Sequence, residues 1–250
     1  MQQTLANEII HRFLSLRDPR EAEHLARFFK TGEGEYGFGD KFLGIRVPTT
    51  RSVVKEYKDI ADIDTCVTLI QSEWHEIRLA GFLLLIELYR KAKKRKDMAA
   101  SQYLVEIYIN HISYGNNWDL VDLVCQFILG DWLAYNPRKR SLLDKFAAMD
   151  HSLWHQRVAI VSTLPMIREG QFSDTIRIAK KFLSHKHDLI HKASGWMLRE
   201  MGKRGGYKEL IAFLDEFSAT MPRTTLRYSI ERLPEPLRKH YLKNPSKPPE

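Results

Sequence analysis

Cysteine is scarce. Cys66 and Cys125 are the only two among 250 residues, they stand far apart, and no Cys-x-x-Cys occurs. That excludes a disulfide framework and a cysteine-rich zinc site. Long apolar runs are missing too: the most apolar stretch, Leu79–Tyr89, has about half of the ~20 residues a membrane span needs. The N-terminus, Met-Gln-Gln-Thr-Leu-Ala-Asn-Glu, lacks a charged start followed by an apolar run, so no signal peptide is expected. A cytoplasmic protein with no membrane partner is the expectation. No segment alternates apolar and polar residues for six positions among turn signals, which argues against half-buried strands. Gly-x-Ser-x-Gly and the P-loop Gly-Lys-Ser/Thr are also absent, so serine hydrolases and P-loop NTPases lack their key residues.

What remains is an ordinary globular composition, 44% hydrophobic and 28% charged, which excludes collagen-like and globally disordered chains. A formal charge of +8 suits an anionic partner such as nucleic acid, although many basic proteins bind none.

The periodicity is helical nearly everywhere. Ile9, Phe13 and Leu16 recur at helical spacing, as do Leu79, Phe82, Leu83, Ile86 and Tyr89, then Leu104, Ile107, Tyr108 and His111. Breakers punctuate these runs at Asp18-Pro19, Val47-Pro48, Asn136-Pro137, Gly170, Gly205-Gly206 and Pro222. The fold class read from this pattern is all-α. Two stretches depart from it: Thr31–Gly39 reads as a mobile glycine-rich loop, and 243–250 as a flexible tail following a single domain over 1–242.

A basic residue followed two positions later by a small one recurs at Arg78/Ala80, Arg157/Ala159, Lys192/Ser194 and Arg227/Ser229. With Asp119-Leu-Val121 in the gap, the period is about 35–41 residues, as in HEAT-like helical-hairpin arrays. Measured from these anchors, Trp118, Arg157, Asp122, Trp196 and Arg199 fall within one broad helical face. Stacked repeats would bring them onto one concave, basic groove.

Several motifs have plainer readings. The glycines of Thr31–Asp40 mimic a phosphate cradle, but no strand precedes them, and Glu33, Glu35 and Asp40 would repel a phosphate. His187-Asp-Leu-Ile-His191 mimics a zinc-protease helix, yet its carboxylate is one methylene short, and surface histidines explain it. No metal and no cofactor are expected. Lys91–Lys96 suits either a phosphate backbone or a solvated helix C-terminus. Trp74, Trp132 and Trp154 read as core. Trp118 and Asp122 share one helical face four residues apart, and an Asp flanked by Leu120, Val121 and Leu123 requires a salt bridge, a cap or a function.

Asn117-Trp-Asp-Leu-Val-Asp122, Leu153-Trp-His-Gln-Arg-Val-Ala-Ile160 and Lys192-Ala-Ser-Gly-Trp-Met-Leu-Arg-Glu200 resemble the DNA alkylation repair family of AlkD-like glycosylases. Phe42–Pro48 and Met221–Ile230 are similar as well, in the same order, so the resemblance spans residues 5–240 or so. It implies a HEAT-like solenoid on duplex DNA, acting as a monomer and hydrolysing the N-glycosidic bond of cationic N3- or N7-alkylated purines without a tight base pocket. It implies Asp122 as the catalytic carboxylate, flanked by Trp118 and Trp196 beside the deoxyribose. Arg157, Arg51, Arg199 and Lys192 are the implied DNA contacts. A non-enzymatic solenoid for branched or distorted DNA is the alternative. The chain departs from the pattern at Phe28, where some relatives carry Tyr, at Asn117, which replaces an aromatic, and at the 32–39 loop, which is long.

Overall fold

The computed structural model describes residues 4–243; of the expected flexible tail, Lys243 closes the last helix and 244–250 lie outside the described residues. Among the described residues there is no β-strand, and no helix is long and apolar enough to cross a membrane. The chain is all-helical, as the periodicity predicts. Its contacts cluster into two compact units, 1–124 and 125–250.

The first unit holds α1 (Leu5–Leu14), α2 (Pro19–Phe28), α3 (Val47–Tyr57), α4 (Ile63–Ile70), α5 (His75–Lys94), α6 (Met98–Asn110) and the short α7 (Trp118–Asp122). Side-chain caps start most of them. Thr4, Asp18, Asp62 and Asp97 each accept from a backbone N–H of the following turn, and Pro19 occupies the first turn of α2. Helix α5 is the unit's axis. Every residue from His75 to Ile86 is buried, so the helix is enclosed all round, with α3, α4 and α6 packed on it. Each of its buried leucines contributes about 1.5–3 kcal/mol of transfer free energy. Its last turn carries Lys91, Lys93 and Lys94, where cations complement the helix dipole. The basic run therefore ends a helix, and Lys91 Nζ donates to the Lys58 carbonyl.

The second unit opens on a π-helical turn, Gln126–Gly130. It continues through α8 (Asp131–Tyr135), α9 (Ser141–Ala147), α10 (Leu153–Val161), α11 (Leu164–Arg168), α12 (Ser173–Lys181), α13 (Asp188–Lys203), α14 (Tyr207–Phe217), α15 (Arg223–Ser229) and α16 (Glu235–Lys243). Here the repeat anchors behave as a helical array requires. Arg157, Lys192 and Arg227 lie on α10, α13 and α15, and α10 packs on α13, which packs on α15.

One sequence expectation is corrected. Only Trp132 of the three supposed core tryptophans is buried. Trp74 and Trp154 are half-buried, and the Arg17 guanidinium lies over the Trp74 ring at 5.9 Å. The 31–39 segment is a succession of bonded turns: Gly32 N–H donates to Glu35 Oε2, and Gly37 N–H to the Lys30 carbonyl.

Candidate nucleic-acid site and its buried support

Helix α7 has five residues, too few to sustain itself, so its neighbours must hold it. Asn117 caps it, accepting from the Trp118 N–H at 2.9 Å, and is itself fully buried. A Cβ at Gly37 would lie 2.5 Å from the Phe29 carbonyl oxygen and 3.1 Å from Asn117 Nδ2. The 31–39 segment thus brings Gly37 down onto the cap of α7, with no room for a larger side chain at position 37.

Trp118 is half-buried and packs on Phe29 with ring centroids 5.4 Å apart. Phe28, 57% exposed, meets it edge-on at 6.1 Å. Asp122, one turn on, is also half-buried. Arg51 is exposed on α3.

In the second unit, Lys192, Trp196 and Arg199 follow one another at i, i+4 and i+7 along one face of α13, all half-buried. Lys192 pairs with Asp188 at 2.8 Å, and Arg199 bonds Glu231. Arg157 faces inward: it is 5% exposed, and Nη1 donates to the Leu189 carbonyl at 2.5 Å, tying α10 to the first turn of α13. His187 caps α13 by accepting from the Leu189 N–H, and His191 Nε2 bonds the His185 carbonyl. Among the described residues no cluster of three or more His, Cys, Asp or Glu is placed to hold a metal ion. Burial, with the charge of neighbouring histidines, holds His185 and His187 below the ordinary imidazole range.

Sequence reasoning missed a buried polar group in the first unit. His75 Nδ1 faces Asp40 Oδ2 at 2.7 Å and Nε2 faces Asp119 Oδ2 at 2.9 Å, with all three side chains buried. Arg78 Nη2 donates to Asp40 Oδ1 at 2.5 Å and to Asn116 Oδ1 at 2.9 Å. Burial alone would drive the His75 proton off. The charges and hydrogen bonds of Asp119 and Asp40 outweigh it and lift the imidazole to about 9. Burial likewise pushes Asp40 up, but His75 and Arg78 prevail, and its carboxyl sits below the usual range. At neutral pH the ring is therefore an imidazolium donating from both nitrogens. Next to it, Glu76 accepts from three successive amides, those of Leu43, Gly44 and Ile45, at 2.9–3.0 Å. Such a nest of N–H groups needs Gly44, whose φ is +85° and whose added Cβ would stand 2.1 Å from the Asp18 carbonyl oxygen.

Beside this group lies a cavity of about 380 Å³, walled by Phe28, Phe29, Phe42, Ile45 and Val47, with His75, Glu76 and Asp119 at its base. Glu21 is bonded by Arg46, Glu76 by the three amides, and Asp119 by His75 through Oδ2, while Asp119 Oδ1 is unpartnered.

These features stand in a chain of recognisable kind. A family profile described as DNA alkylation repair enzyme matches residues 9–233. The chain belongs to that family. A predicted DNA alkylation repair enzyme from Enterococcus faecalis has a similar solved structure, with a TM-score of 0.68 and 17% identity over 88% of this chain and 97% of that one. At that identity the likeness speaks for the fold. No curated protein matches the sequence. Membership of the family brings a role in DNA alkylation repair, with DNA as the partner.

Proposed function

We propose that this family member is a monofunctional DNA glycosylase that hydrolyses the N-glycosidic bond of cationic N3- or N7-alkylated purines in duplex DNA. In this reading residues 1–242 work as one HEAT-like solenoid domain, monomeric and cytoplasmic, associating with the nucleoid when bound to DNA. The observation that carries the proposal is the pairing of Trp118 and Asp122 on one turn of α7, both half-buried, in a chain whose family match spans residues 9–233. Asp122 thus stands half-buried beside Trp118, within reach of a ligand on that face.

An alkylated purine already carries the positive charge that makes it a leaving group, so no general acid is required. As the C1′–N bond breaks, its electron pair goes to the purine, which becomes neutral, and positive charge grows on the sugar. Asp122 stabilises that oxocarbenium-like charge, and the faces of Trp118 and Trp196 add to it. A water oxygen then bonds to C1′ and releases one proton to Asp122 or to solvent. Arg51, Lys192 and Arg199 are proposed to contact the phosphate backbone; Arg157, expected to join them, is buried on the Leu189 carbonyl and supports α13 from within. As the resemblance implies, attack in an open groove is proposed rather than capture of the base in a tight pocket.

Incubation of purified protein with methylated duplex DNA tests the proposal. Release of 7-methylguanine above the spontaneous rate supports it. Tight binding without release from any alkylated duplex would favour the non-enzymatic binder of distorted DNA.

A further inference from the structure

The buried histidine of α5 has a use that the glycosylase reading leaves unassigned. Asp119 is the second residue of α7, it is 5% exposed, and its Oδ1 has no hydrogen-bond partner. Among the described residues the side chain is therefore held through Oδ2 by His75. Three residues further along α5, Arg78 grips Asn116, just ahead of α7, and Asp40. Its other nitrogen, Nη1, donates to the Ser72 and Glu73 carbonyls at 3.1 and 3.0 Å, so the guanidinium is fixed to the start of α5. Both ends of the approach to Trp118 are thus tied to the first turn of one buried helix.

We propose that His75 is a positioning residue for the candidate catalytic helix: by bonding Asp40 on one side and Asp119 on the other, it fixes the register of α7 and so the placing of Trp118 and Asp122. The inference rests on the reading of α7 as the catalytic helix.

The chemistry of the bridge is a matter of donors. Two carboxylates offer only acceptors. An imidazolium supplies two N–H groups, one for each, whereas neutral imidazole supplies one. Loss of the ring proton would set a lone pair against a carboxylate on one side, between groups that are all buried. The charged groups around the ring are Asp40 from the preceding loop, Asp119 from α7, and Glu76 and Arg78 from α5 itself. Glu76 is itself an acceptor, committed to the 43–45 amides, and both terminal nitrogens of Arg78 are already bonded, Nη2 to Asp40 and Asn116 and Nη1 to the Ser72 and Glu73 carbonyls. Phe42 stacks on the ring at 4.4 Å and Phe29 lies 5.2 Å away, and Phe29 also touches Trp118. Movement of the imidazole would therefore reach the tryptophan by a second route.

The test compares wild type with Asp119→Asn and Asp119→Ala in the full-length protein between pH 6.5 and 10. The amide introduced by Asp119→Asn can donate to a neutral His75 Nε2, keeping the bridge without its proton. Asp119→Ala cuts it. One readout is the ¹⁵N–¹H signal of the Trp118 indole, assigned through Trp118→Phe; the other is single-turnover release of 7-methylguanine. In wild type the indole signal should titrate with a midpoint near 9, and release should fall tenfold or more across the same range, with far less change in DNA binding. In Asp119→Asn the indole transition should vanish and release should keep only the pH dependence of the substrate itself, and in Asp119→Ala release should be low at every pH while the protein stays folded. The titration of the substrate itself is common to all three proteins and cancels in the comparison. An indole signal without a midpoint near 9 in wild type, or Asp119→Asn following wild type at every pH, would overturn the inference. Absence of release from all three would count against the glycosylase reading, and the indole titration would still decide the role of His75.

Discussion

Gly81 of α5 lies against the backbone of Ile70 in α4: a Cβ at position 81 would come within 2.7 Å of the Ile70 amide nitrogen and 2.8 Å of the Cys66 carbonyl oxygen. Backbone cannot swing aside as a flexible side chain can. Gly81→Ala should therefore cost about 1–3 kcal/mol despite the better helix propensity of alanine, the usual range for overpacking. Urea denaturation of the two proteins measures it, and a gain in stability would show that α4 and α5 part easily.

Asp122→Asn keeps the size and hydrogen-bonding capacity of the side chain but removes its charge. Release of 7-methylguanine should fall by about 100-fold or more, the scale on which one preorganised electrostatic group matters. Binding should persist, because the intact sugar carries no comparable charge. Single-turnover rates must be compared with enzyme-free DNA, since cationic lesions depurinate spontaneously. Equal rates from two folded proteins would remove Asp122 from the mechanism.

Affinity for duplex DNA should decline with salt, by about 0.9 in log K per log salt for each phosphate neutralised. Arg51→Ala, at an exposed position, should lower that slope by about one unit. Arg157→Ala should act more on stability, since it frees the Leu189 carbonyl and opens space between α10 and α13. Fluorescence anisotropy across a salt series, with thermal melts alongside, separates the two effects.

His75 makes folding pH-dependent on the alkaline side. Its imidazole is raised from an ordinary 6.5 to about 9, so the folded state holds the proton that the unfolded chain gives up. The stabilisation is complete below about pH 6.5 and is lost as pH rises through 9. It amounts to about 3 kcal/mol, on the scale of 1.36 kcal/mol per pKa unit. Denaturation curves at pH 6.5 and 9.5 should show this loss in wild type and little of it in His75→Gln. Equal losses in both would place the alkaline titration elsewhere.

Much of the fold was legible from local features, because helix period and caps are local. Thr4, Asp18, Asp62 and Ser152 sit where a start signal is expected, and each accepts from its helix's first turn. The placing of Lys192, Trp196 and Arg199 on one face follows from spacing alone. Depth does not. The phase of a helix tells which way Arg157 points, but its acceptor is a backbone carbonyl 32 residues on, and a carbonyl leaves no trace in side-chain chemistry. The bridge at His75 was hidden for a related reason. Its partners lie 35 and 44 residues away, on opposite sides in sequence, and no spacing rule pairs them. Asp119 stood in full view inside Trp118–Asp122, overshadowed by the two residues at the ends of the same turn.

Glu76 has a consequence for dynamics. Leu43, Gly44 and Ile45 belong to no helix, yet their amides end on a buried carboxylate borne by the most enclosed helix of the first unit. Solvent deuterium can reach them only when that carboxylate lets go, which exposes a charge in the interior and is costly. These three amides should thus exchange as slowly as those in the middle of α5, and all together, so that a stretch without regular structure is protected like the interior of a helix.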